Sequence, residues 1–354
     1  MRFISVYCLR DGMTLGRDLY GKSGELLLGK GQVLRESYIE RILALGYHGV
    51  YICDSLSSDI EIHEMVNQEL RMKAVTTVRD TFIVTRSQGD VSDAMESTRA
   101  IVRRLIEEIL ANSNAMMNMV DMKVFDDYTF FHSVNVTVLS LVMGVAFGFP
   151  ESKLIRLGLG ALLHDIGKVF IDKKILDKPG PLDDEEMEEM NKHSVLGYEF
   201  LRDHSELPVT SYVGVLQHHE RYDGTGYPYG LKGEEISEFA RIIAVADVYD
   251  ALSSDRPYRG AILASNAMEY IMGGSGTHFD PACVETFVRK VAAFPLGTVV
   301  RLSNGMTAIV VRNYADCCIR PSVRVLSGEW QGRVISLRDD HTLRSVTISE
   351  VLDV

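Results

Sequence analysis

The sequence predicts a mainly α-helical protein of several domains, in which a central helical block is flanked by a small α+β domain and a small β domain. Three observations support this prediction. Apolar residues recur at helical spacing through the middle of the chain, short apolar runs alternate with turns near the N-terminus, and β-type runs follow Pro295. A chain of 354 residues, 46% of them hydrophobic, can bury the cores of two or three such domains.

Residues 1–60 are predicted to form the small α+β domain, with an accessory or regulatory role. The segment Tyr38–Leu45 is amphipathic and is followed by Gly46, which is typical of a helix end. Three short apolar runs separated by turn residues suggest strands: Phe3–Tyr7, Glu25–Leu28 and Val50–Ile52.

Residues 61–120 are predicted to be a helical linker that leads into the helical block at residues 121–293. Apolar residues at helical spacing between Ser92 and Met119 indicate one long connecting helix. Within the block, the most apolar stretch is Val136–Phe149, which is too short to span a bilayer. We therefore interpret it as a buried helix.

Residues 294–354 are predicted to form the small β domain. The sequence there changes to short β-type runs, and the motifs SNG and GEWQG mark turns between them. The predicted strands are Thr298–Leu302, Ala308–Val311, Ser322–Leu326 and Arg333–Leu337.

Charge and cysteine content restrict the partners and the compartment. A formal net charge of −12 gives no overall attraction to duplex nucleic acid or to an anionic membrane, so a phosphorylated ligand must meet local cations or metals. The N-terminus has no signal-peptide pattern, which favours a cytoplasmic location. Five scattered cysteines form no CxxC pair and predict neither a disulfide framework nor a thiolate zinc site: Cys8, Cys53, Cys283, Cys317 and Cys318.

Histidine and aspartate are concentrated in the helical block. Six of the ten histidines lie between His132 and His219. The apolar run ARIIAVADVYDAL contains Asp247 and Asp250, whose burial is costly unless each is paired, hydrogen-bonded or bound to a metal. Imidazole and carboxylate ligands together suit iron, manganese, zinc or nickel. The block is therefore predicted to hold a His-rich transition-metal site.

Any single histidine is more often an ordinary core or surface residue than a ligand. His218 and His219 could be a coincidental pair at a solvated helix end, but the glycine-rich segment ERYDGTGYP follows them and favours a loop that lines a site. The ordinary interpretation is kept for the remaining histidines: His48, His63, His204, His278 and His341.

Five segments, taken in chain order, resemble the HD-GYP family, a branch of the HD phosphohydrolases. They are FFHSVNV, LLHDIGK, KHSVLGYEFL, QHHERYDGTGYP and ADVYDALSSDRPYR. The resemblance covers residues 120–293. It implies an HD-type helical bundle and a metal-dependent phosphodiesterase that hydrolyses cyclic-di-GMP to linear pGpG, with further hydrolysis to GMP left open.

The resemblance also implies which residues hold metal. One ion would be bound by His132, His164, Asp165 and Asp247, and the other would be bound by Asp165, His193, His218 and His219. Asp165 would therefore bridge the two ions and be essential for catalysis. Ions about 3.5 to 4 Å apart can activate a bridging water for attack on phosphorus. Iron or manganese is expected, and zinc or nickel remains open.

Several further residues are expected near the substrate. Lys168 could offset phosphate charge, although it could instead cap a helix C-terminus. Arg256 and Arg259 could grip a nonscissile phosphate or a guanine edge. The loop residues Gly226, Tyr227 and Pro228 are expected beside the substrate, unless they only shape the loop. Three carboxylates are expected to orient the histidines or the arginines: Glu220, Asp223 and Asp250.

Some members of the HD-GYP family have a third metal, held by a Glu four residues before the first ligand histidine. Tyr128 stands at that position here and is a poor ligand, so we expect two metals and accumulation of pGpG. Three other functions are compatible with parts of the sequence: a catalytically weak or silent cyclic-di-GMP receptor, a hydrolase of a related nucleotide, and a purely structural bundle. A homodimer or a signalling protein partner remains open.

Overall fold

The computed structural model describes residues 1–21, 25–47, 49–62, 64–87, 89–113, 116–117, 128–254 and 262–352. The described chain is mostly helical and has small sheets near both ends, as the sequence predicts. All numbered elements below belong to these ranges.

The N-terminal part contains a three-stranded sheet, a two-stranded ribbon and one helix. Strand β5 lies between β1 and β2, and β3 pairs with β4, all antiparallel. Each predicted run contains a strand, but the first ends early because Val6–Cys8 turns into a short 3-10 helix. The elements are β1 (Arg2–Ser5), β2 (Thr14–Leu15), β3 (Leu19–Tyr20), β4 (Leu26–Leu28), α1 (Glu36–Ala44) and β5 (Gly49–Cys53).

The predicted helix of this part is confirmed, and its end has a clear cause. Gly46 has a φ of +82°, a left-handed conformation that L side chains rarely adopt and that glycine adopts readily. Strands β2 and β3 have two residues each, too few to produce a pattern in the sequence.

Eleven helices follow in the described residues. Helix α4 packs against α2, α5, α10 and α12 and forms the centre of the bundle. The helices are α2 (Gln68–Arg86), α3 (Ser92–Ala111), α4 (Tyr128–Ala146), α5 (Glu151–Leu162), α6 (Lys173–Leu176), α7 (Asp184–Asn191), α8 (His193–His204), α9 (Val209–Gln217), α10 (Glu238–Ser253), α11 (Ala264–Gly273) and α12 (Pro281–Lys290).

Helix α4 contains most of the apolar stretch that we interpreted as a buried helix. In the part of the chain that the structure describes, the window Thr129–Ala146 is long and apolar enough to cross a membrane. The interior of the structure buries 72% of that window, as is typical of a core helix.

Helices α2 and α3 lie in the segment that we predicted as a linker, yet they pack into the bundle core. Val78 and Leu105, for example, are fully buried in the same apolar cluster as the residues of α4. The single helix predicted from Ser92 to Met119 is shorter than predicted. It ends at Ala111, and Met117 instead pairs its backbone with Lys290 and Ala292.

The C-terminal part forms one antiparallel sheet in the order β10-β6-β7-β8-β9. All four predicted strands are present. The edge strand β10 was not predicted, because exposed polar residues interrupt its apolar pattern. The strands are β6 (Val299–Leu302), β7 (Thr307–Arg312), β8 (Ser322–Val325), β9 (Val334–Ser336) and β10 (Ile348–Leu352).

The two faces of this sheet bury different neighbours. Val300 and Val310 join the core of the helical bundle. Val299 and Ile309, which point to the opposite face, form a cluster with Tyr51 of the N-terminal part. The C-terminal sheet therefore packs between the helical bundle and the N-terminal sheet.

Candidate metal centre

Seven histidine and aspartate side chains converge in the helical bundle. His132 lies on α4, His193 begins α8 and Asp247 lies on α10. His164 and Asp165 stand just beyond the end of α5 rather than within it, and His218 and His219 follow α9. All are buried except His219, which is partly exposed.

The ligand atoms fall into two groups. Asp165, His193, His218 and His219 form one group, and His132, His164 and Asp247 form the other. Within each group, one ligand atom from every residue lies within 4.8 Å of the others. These groups correspond to the two ligand sets that the family resemblance implied.

The Asp165 carboxylate faces both groups. Its Oδ2 lies 3.4 Å from Nε2 of His164 and 3.9 Å from Nε2 of His132. Its Oδ1 lies 3.6 Å from Nε2 of His193 and 4.0 Å from Nε2 of His218. Each oxygen can therefore serve one group, which is the arrangement that a bridging ligand requires.

Backbone carbonyls orient three of the histidines in the same way. Nδ1 of His164, His193 and His218 donates to the carbonyl oxygen three residues earlier, at 2.8, 2.7 and 2.6 Å. A carbonyl only accepts, so Nδ1 must carry the ring proton and the lone pair of Nε2 points toward the centre. The sequence analysis did not identify these contacts, although an i−3 carbonyl is a recurring partner at helix ends.

A carboxylate orients the fourth histidine. Nδ1 of His132 donates to Oδ2 of Asp250 at 2.7 Å, and the other oxygen of Asp250 accepts from Asn135 Nδ2 at 2.8 Å. Nε2 of His132 lies 3.0 Å from Oδ1 of Asp247. Asp250 thus orients His132 through the ring nitrogen that faces away from the other candidate ligands, as expected. No sequence pattern indicated Asn135 as the second partner of Asp250.

Burial and neighbouring charges set the protonation of the centre. Burial lowers the pKa of His193 to about 4 and that of His219 to about 3. Burial also opposes charge on His132, but Asp247 and Asp250 outweigh it and raise the His132 pKa to about 9. Burial would raise the pKa of Asp165, yet Lys168 and His164 hold it well below its usual range. His193 and His219 are thus neutral and Asp165 is ionised, which are the forms that bind metal, whereas His132 must release a proton to bind an ion.

A buried ring nitrogen of His164 that lacks a hydrogen-bond partner indicates whether divalent ions fit this centre. Nε2 of His164 is fully buried and has no hydrogen-bond partner within the described ranges, although buried polar atoms normally have one. It points into a group of nitrogen and oxygen donors, the ligand chemistry of transition metals. The residues present therefore fit such ions.

Lys168 contacts the centre directly. It lies in the short 3-10 helix Ile166–Phe170, and its Nζ donates to Oδ2 of Asp165 at 2.6 Å. The alternative of a C-terminal helix cap does not describe this contact. The same turn packs tightly on α8, since a Cβ at Gly167 would lie 1.8 Å from the carbonyl oxygen of His193.

The GYP loop covers His219. The Tyr227 ring stacks on the His219 ring with centroids 4.8 Å apart, and Tyr227 N donates to the carbonyl oxygen of His219 at 3.2 Å. A Cβ at Gly226 would lie 2.5 Å from that same oxygen. Only glycine permits this approach, so Gly226 lets the loop lie against the candidate ligand.

Two of the three carboxylates expected behind the histidines have another role. Glu220 accepts from the backbone N–H groups of Tyr229 and Leu231, at 2.8 and 3.0 Å. Asp223 accepts from the backbone and hydroxyl of Thr225. These hydrogen bonds join the two carboxylates to their own loop rather than to ligand histidines. That they orient Arg256 or Arg259 stays a prediction, because both arginines lie outside the described residues. Glu220 and Asp223 follow His219 into a loop whose own N–H groups need acceptors.

Some predicted residues lie outside the described part of the chain. These are Arg256 and Arg259, together with His48, His63 and the side chain of Tyr128. Two histidines given the ordinary interpretation have local partners: His204 bonds to the Phe200 carbonyl, and His341 to Arg344.

Comparison with known proteins gives a consistent result. Residues 104–283 match the family described as HD domain. The sequence is 36% identical to a cyclic di-GMP phosphodiesterase of Pseudomonas aeruginosa over 264 residues. This alignment covers 73% of this chain and 64% of the relative. The sequence is 37% identical to a 3'3'-cGAMP-specific phosphodiesterase of Vibrio cholerae over 168 residues, which are 48% of this chain and 36% of the relative. The chain thus spans less than two thirds of either relative.

A solved structure shares the fold. It is an HDG"Y"P protein from Bdellovibrio bacteriovorus, with a TM-score of 0.52 and 19% sequence identity. The match covers 80% of this chain and 97% of that one.

Proposed function

The chain belongs to the HD domain family and carries the motifs of its HD-GYP branch, and on this basis we propose that it is a metal-dependent phosphodiesterase that hydrolyses cyclic-di-GMP to linear pGpG. The position of Asp165 is the observation that carries the proposal. Its two oxygens face two separate groups of buried histidines. A centre of this kind suits hydrolysis of a phosphodiester by two metal ions.

We assign one divalent ion to His132, His164, Asp165 and Asp247, and the second to Asp165, His193, His218 and His219. Imidazole and carboxylate donors suit iron or manganese, which we propose, and zinc or nickel remains open. When bound, such ions supply Lewis acidity and an activated water. No protein side chain then needs to act as the nucleophile.

The protein itself would bind and orient the phosphate. Lys168 reaches the centre from a partly exposed position, so its ammonium can contact a phosphate oxygen while it remains beside Asp165. Burial raises the pKa of Tyr227, which keeps its hydroxyl protonated and able to donate a hydrogen bond. Arg256 and Arg259 remain proposed contacts to a nonscissile phosphate or a guanine.

The test combines metal analysis with product analysis. Protein prepared without oxygen and reconstituted with iron or manganese should hold two ions per chain and should cleave cyclic-di-GMP. A content of one ion or fewer, or no cleavage by the fully loaded protein, contradicts the proposal.

The product is a separate prediction. Because Tyr128 replaces the carboxylate that would help to hold a third ion, the second hydrolysis should be slower than the first, and pGpG should accumulate early. Chromatography of a reaction time course measures this. GMP that forms as fast as cyclic-di-GMP disappears would show that the inference from Tyr128 is wrong.

A second candidate is a hydrolase of another cyclic dinucleotide. The relative described as specific for 3'3'-cGAMP supports it, since its identity to this chain is as high as that of the cyclic di-GMP relative. Parallel assays with both dinucleotides decide between the two.

We further propose that residues 1–60 and 294–354 are accessory domains around a catalytic domain at residues 121–293, with residues 61–120 joining them. We also propose a cytoplasmic location. The five cysteines are scattered along the sequence and form no CxxC pair, which agrees with a reducing compartment.

A further inference from the structure

Arg221 and His278 belong to two backbone segments that are held together beside the metal centre. Arg221 follows Glu220 in the loop after α9, and His278 lies in the turn between α11 and α12. The segments are joined by two hydrogen bonds, from Tyr222 N to the His278 carbonyl at 3.1 Å and from Asp223 N to the Thr277 carbonyl at 2.8 Å.

The Arg221 backbone is also fixed from the other side. A Cβ at Gly226 would lie 2.3 Å from Arg221 N, so the GYP loop presses directly on this residue. Arg221 is only two positions beyond His219, a proposed ligand. The His278 ring is held as well, since it stacks on Phe279 with centroids 4.1 Å apart and an interplanar angle of 10°.

Both side chains have unused hydrogen-bonding capacity. Within the described ranges, Nε of Arg221 and Nδ1 of His278 are buried and have no hydrogen-bond partner. Oδ1 of Asp223 is 3.8 Å from the Arg221 Nε, which is too far for a hydrogen bond. The Arg221 side chain is nevertheless 38% exposed. A partly exposed guanidinium on a fixed backbone, with a donor that has no partner, is suited to a ligand.

Burial and neighbouring charge determine the protonation of His278. Burial and the Arg221 charge lower the His278 pKa to about 4, while Asp223 and Asp247 oppose this shift. The ring is therefore neutral at physiological pH and offers one donor and one acceptor. His219, two positions before Arg221, has its Nδ1 3.9 Å from Oδ2 of Asp247, so the loop that carries Arg221 begins on the Asp247 side of the centre. Lys168 binds Asp165 instead, so the two cations serve different positions.

This chemistry matches a purine base rather than the scissile phosphate. A guanidinium can donate two parallel hydrogen bonds to O6 and N7 of guanine, whereas adenine has an amino donor at the position of O6. We propose that Arg221 and His278 form a guanine-recognition subsite that selects cyclic-di-GMP over its adenine counterpart. This inference rests on the proposed function, which it deepens by naming what determines the base.

The test compares selectivity, because damage to the fold or the metal centre lowers the cleavage of both dinucleotides together. The measured quantity is kcat/KM for cyclic-di-GMP divided by kcat/KM for cyclic-di-AMP, with metal-loaded full-length protein. Arg221→Met should lower this ratio about tenfold or more, since it removes a bidentate contact to guanine. Arg221→Gln should lower it further, because a glutamine amide pairs with N6 and N7 of adenine.

Two more variants complete the set. His278→Phe keeps an aromatic ring on Phe279, removes both nitrogens and should also lower the ratio. Arg289→Met is the control, because Arg289 is an exposed residue of α12 that pairs with Glu285, and the ratio should not change. An unchanged ratio in Arg221→Met and Arg221→Gln, even with both activities reduced, overturns the subsite.

A binding measurement separates this inference from the proposed function. In calorimetry, the wild-type protein should bind GMP about tenfold or more tightly than AMP, and Arg221→Met should remove the difference. A wild-type protein that cleaves neither dinucleotide contradicts the proposed function. Equal affinity of the wild-type protein for GMP and AMP contradicts the subsite.

Discussion

Asp165 has the most demanding position of any single residue in the centre. It is buried, it accepts a hydrogen bond from Lys168, and its two oxygens face histidines of different groups. Asp247 also has one oxygen near a histidine of each group, His132 and His219. Asp165 differs in lying within 4.0 Å of four of the histidines. A change at this one residue should therefore disturb both proposed ions.

Asp165→Asn should abolish turnover and lower the content of both metals, because an amide keeps the shape of the side chain but loses its negative charge. Metal analysis and the rate of cyclic-di-GMP cleavage measure the effect. Asp280→Asn is the control, since Asp280 is a buried carboxylate that pairs with Arg241 outside the centre, and its metal content should stay at the wild-type value. Near wild-type activity in Asp165→Asn would remove the bridging assignment.

Asp250 is proposed to affect metal binding indirectly, through its hydrogen bond to the candidate ligand His132. Asp250→Asn should lower metal affinity about 10- to 100-fold, because His132 loses the acceptor that fixes its ring. Competition against a chelator of known affinity measures this. Asp223→Asn should leave metal affinity at the wild-type value, because the side chain of Asp223 accepts its hydrogen bonds from Thr225 in the same loop. Equal effects of the two variants would contradict the distinction.

At the level of elements, two short irregular segments position most of the chemistry. The turn after α5 carries His164, Asp165 and Lys168, and the loop after α9 carries the residues from His218 to Pro228. Each is held by a glycine that lies against backbone, Gly167 on α8 and Gly226 on His219 and Arg221. Regular helices supply the frame, while these turns set the direction of the side chains.

Gly167→Ala should destabilise the protein by about 1–3 kcal/mol and weaken metal binding, because its Cβ would overlap the His193 carbonyl and force the turn away from α8. Denaturant unfolding and metal analysis measure both effects. Gly273→Ala is a matched control at the end of α11, where a Cβ meets no atom within 4 Å, and it should be close to neutral. If both variants behave alike, the close contact at Gly167 does not matter.

On the scale of the whole molecule, the C-terminal sheet joins the two ends of the chain. Ile309 is fully buried between this sheet and the N-terminal part, near Tyr51 and Ile60. Arg324 also pairs with Asp59 across the interface, with Nη1 2.9 Å from Oδ1. The interface thus has an apolar centre and a charged pair at its edge.

Ile309→Ala should cost about 2–5 kcal/mol of unfolding free energy, since it leaves a cavity between the sheets. Arg324→Ala should cost at most about 1 kcal/mol, because its partner Asp59 is 59% exposed and solvent screens the pair. Denaturant unfolding of both variants measures the difference. A larger loss in Arg324→Ala than in Ile309→Ala would mean that the charged pair, rather than the apolar cluster, holds the interface.

The sequence by itself determined the class of the fold and the kind of chemistry. Helical spacing predicted the bundle, and short β-type runs predicted every strand of the C-terminal sheet except β10. The histidines and aspartates were identified as candidate ligands because buried carboxylates and clustered imidazoles are costly without a partner. These features depend on local pattern and on residue type, which a sequence displays directly.

Only the tertiary structure decided which atoms meet. It assigned Asp250 to His132, 118 positions away, and it kept Glu220 and Asp223 within their own loop. It also packed the segment predicted as a linker into the bundle core and joined the segments of Arg221 and His278. A hydrogen bond or an apolar contact depends on distances of a few ångströms between distant segments. Those distances follow from how the whole chain packs, which no local pattern specifies.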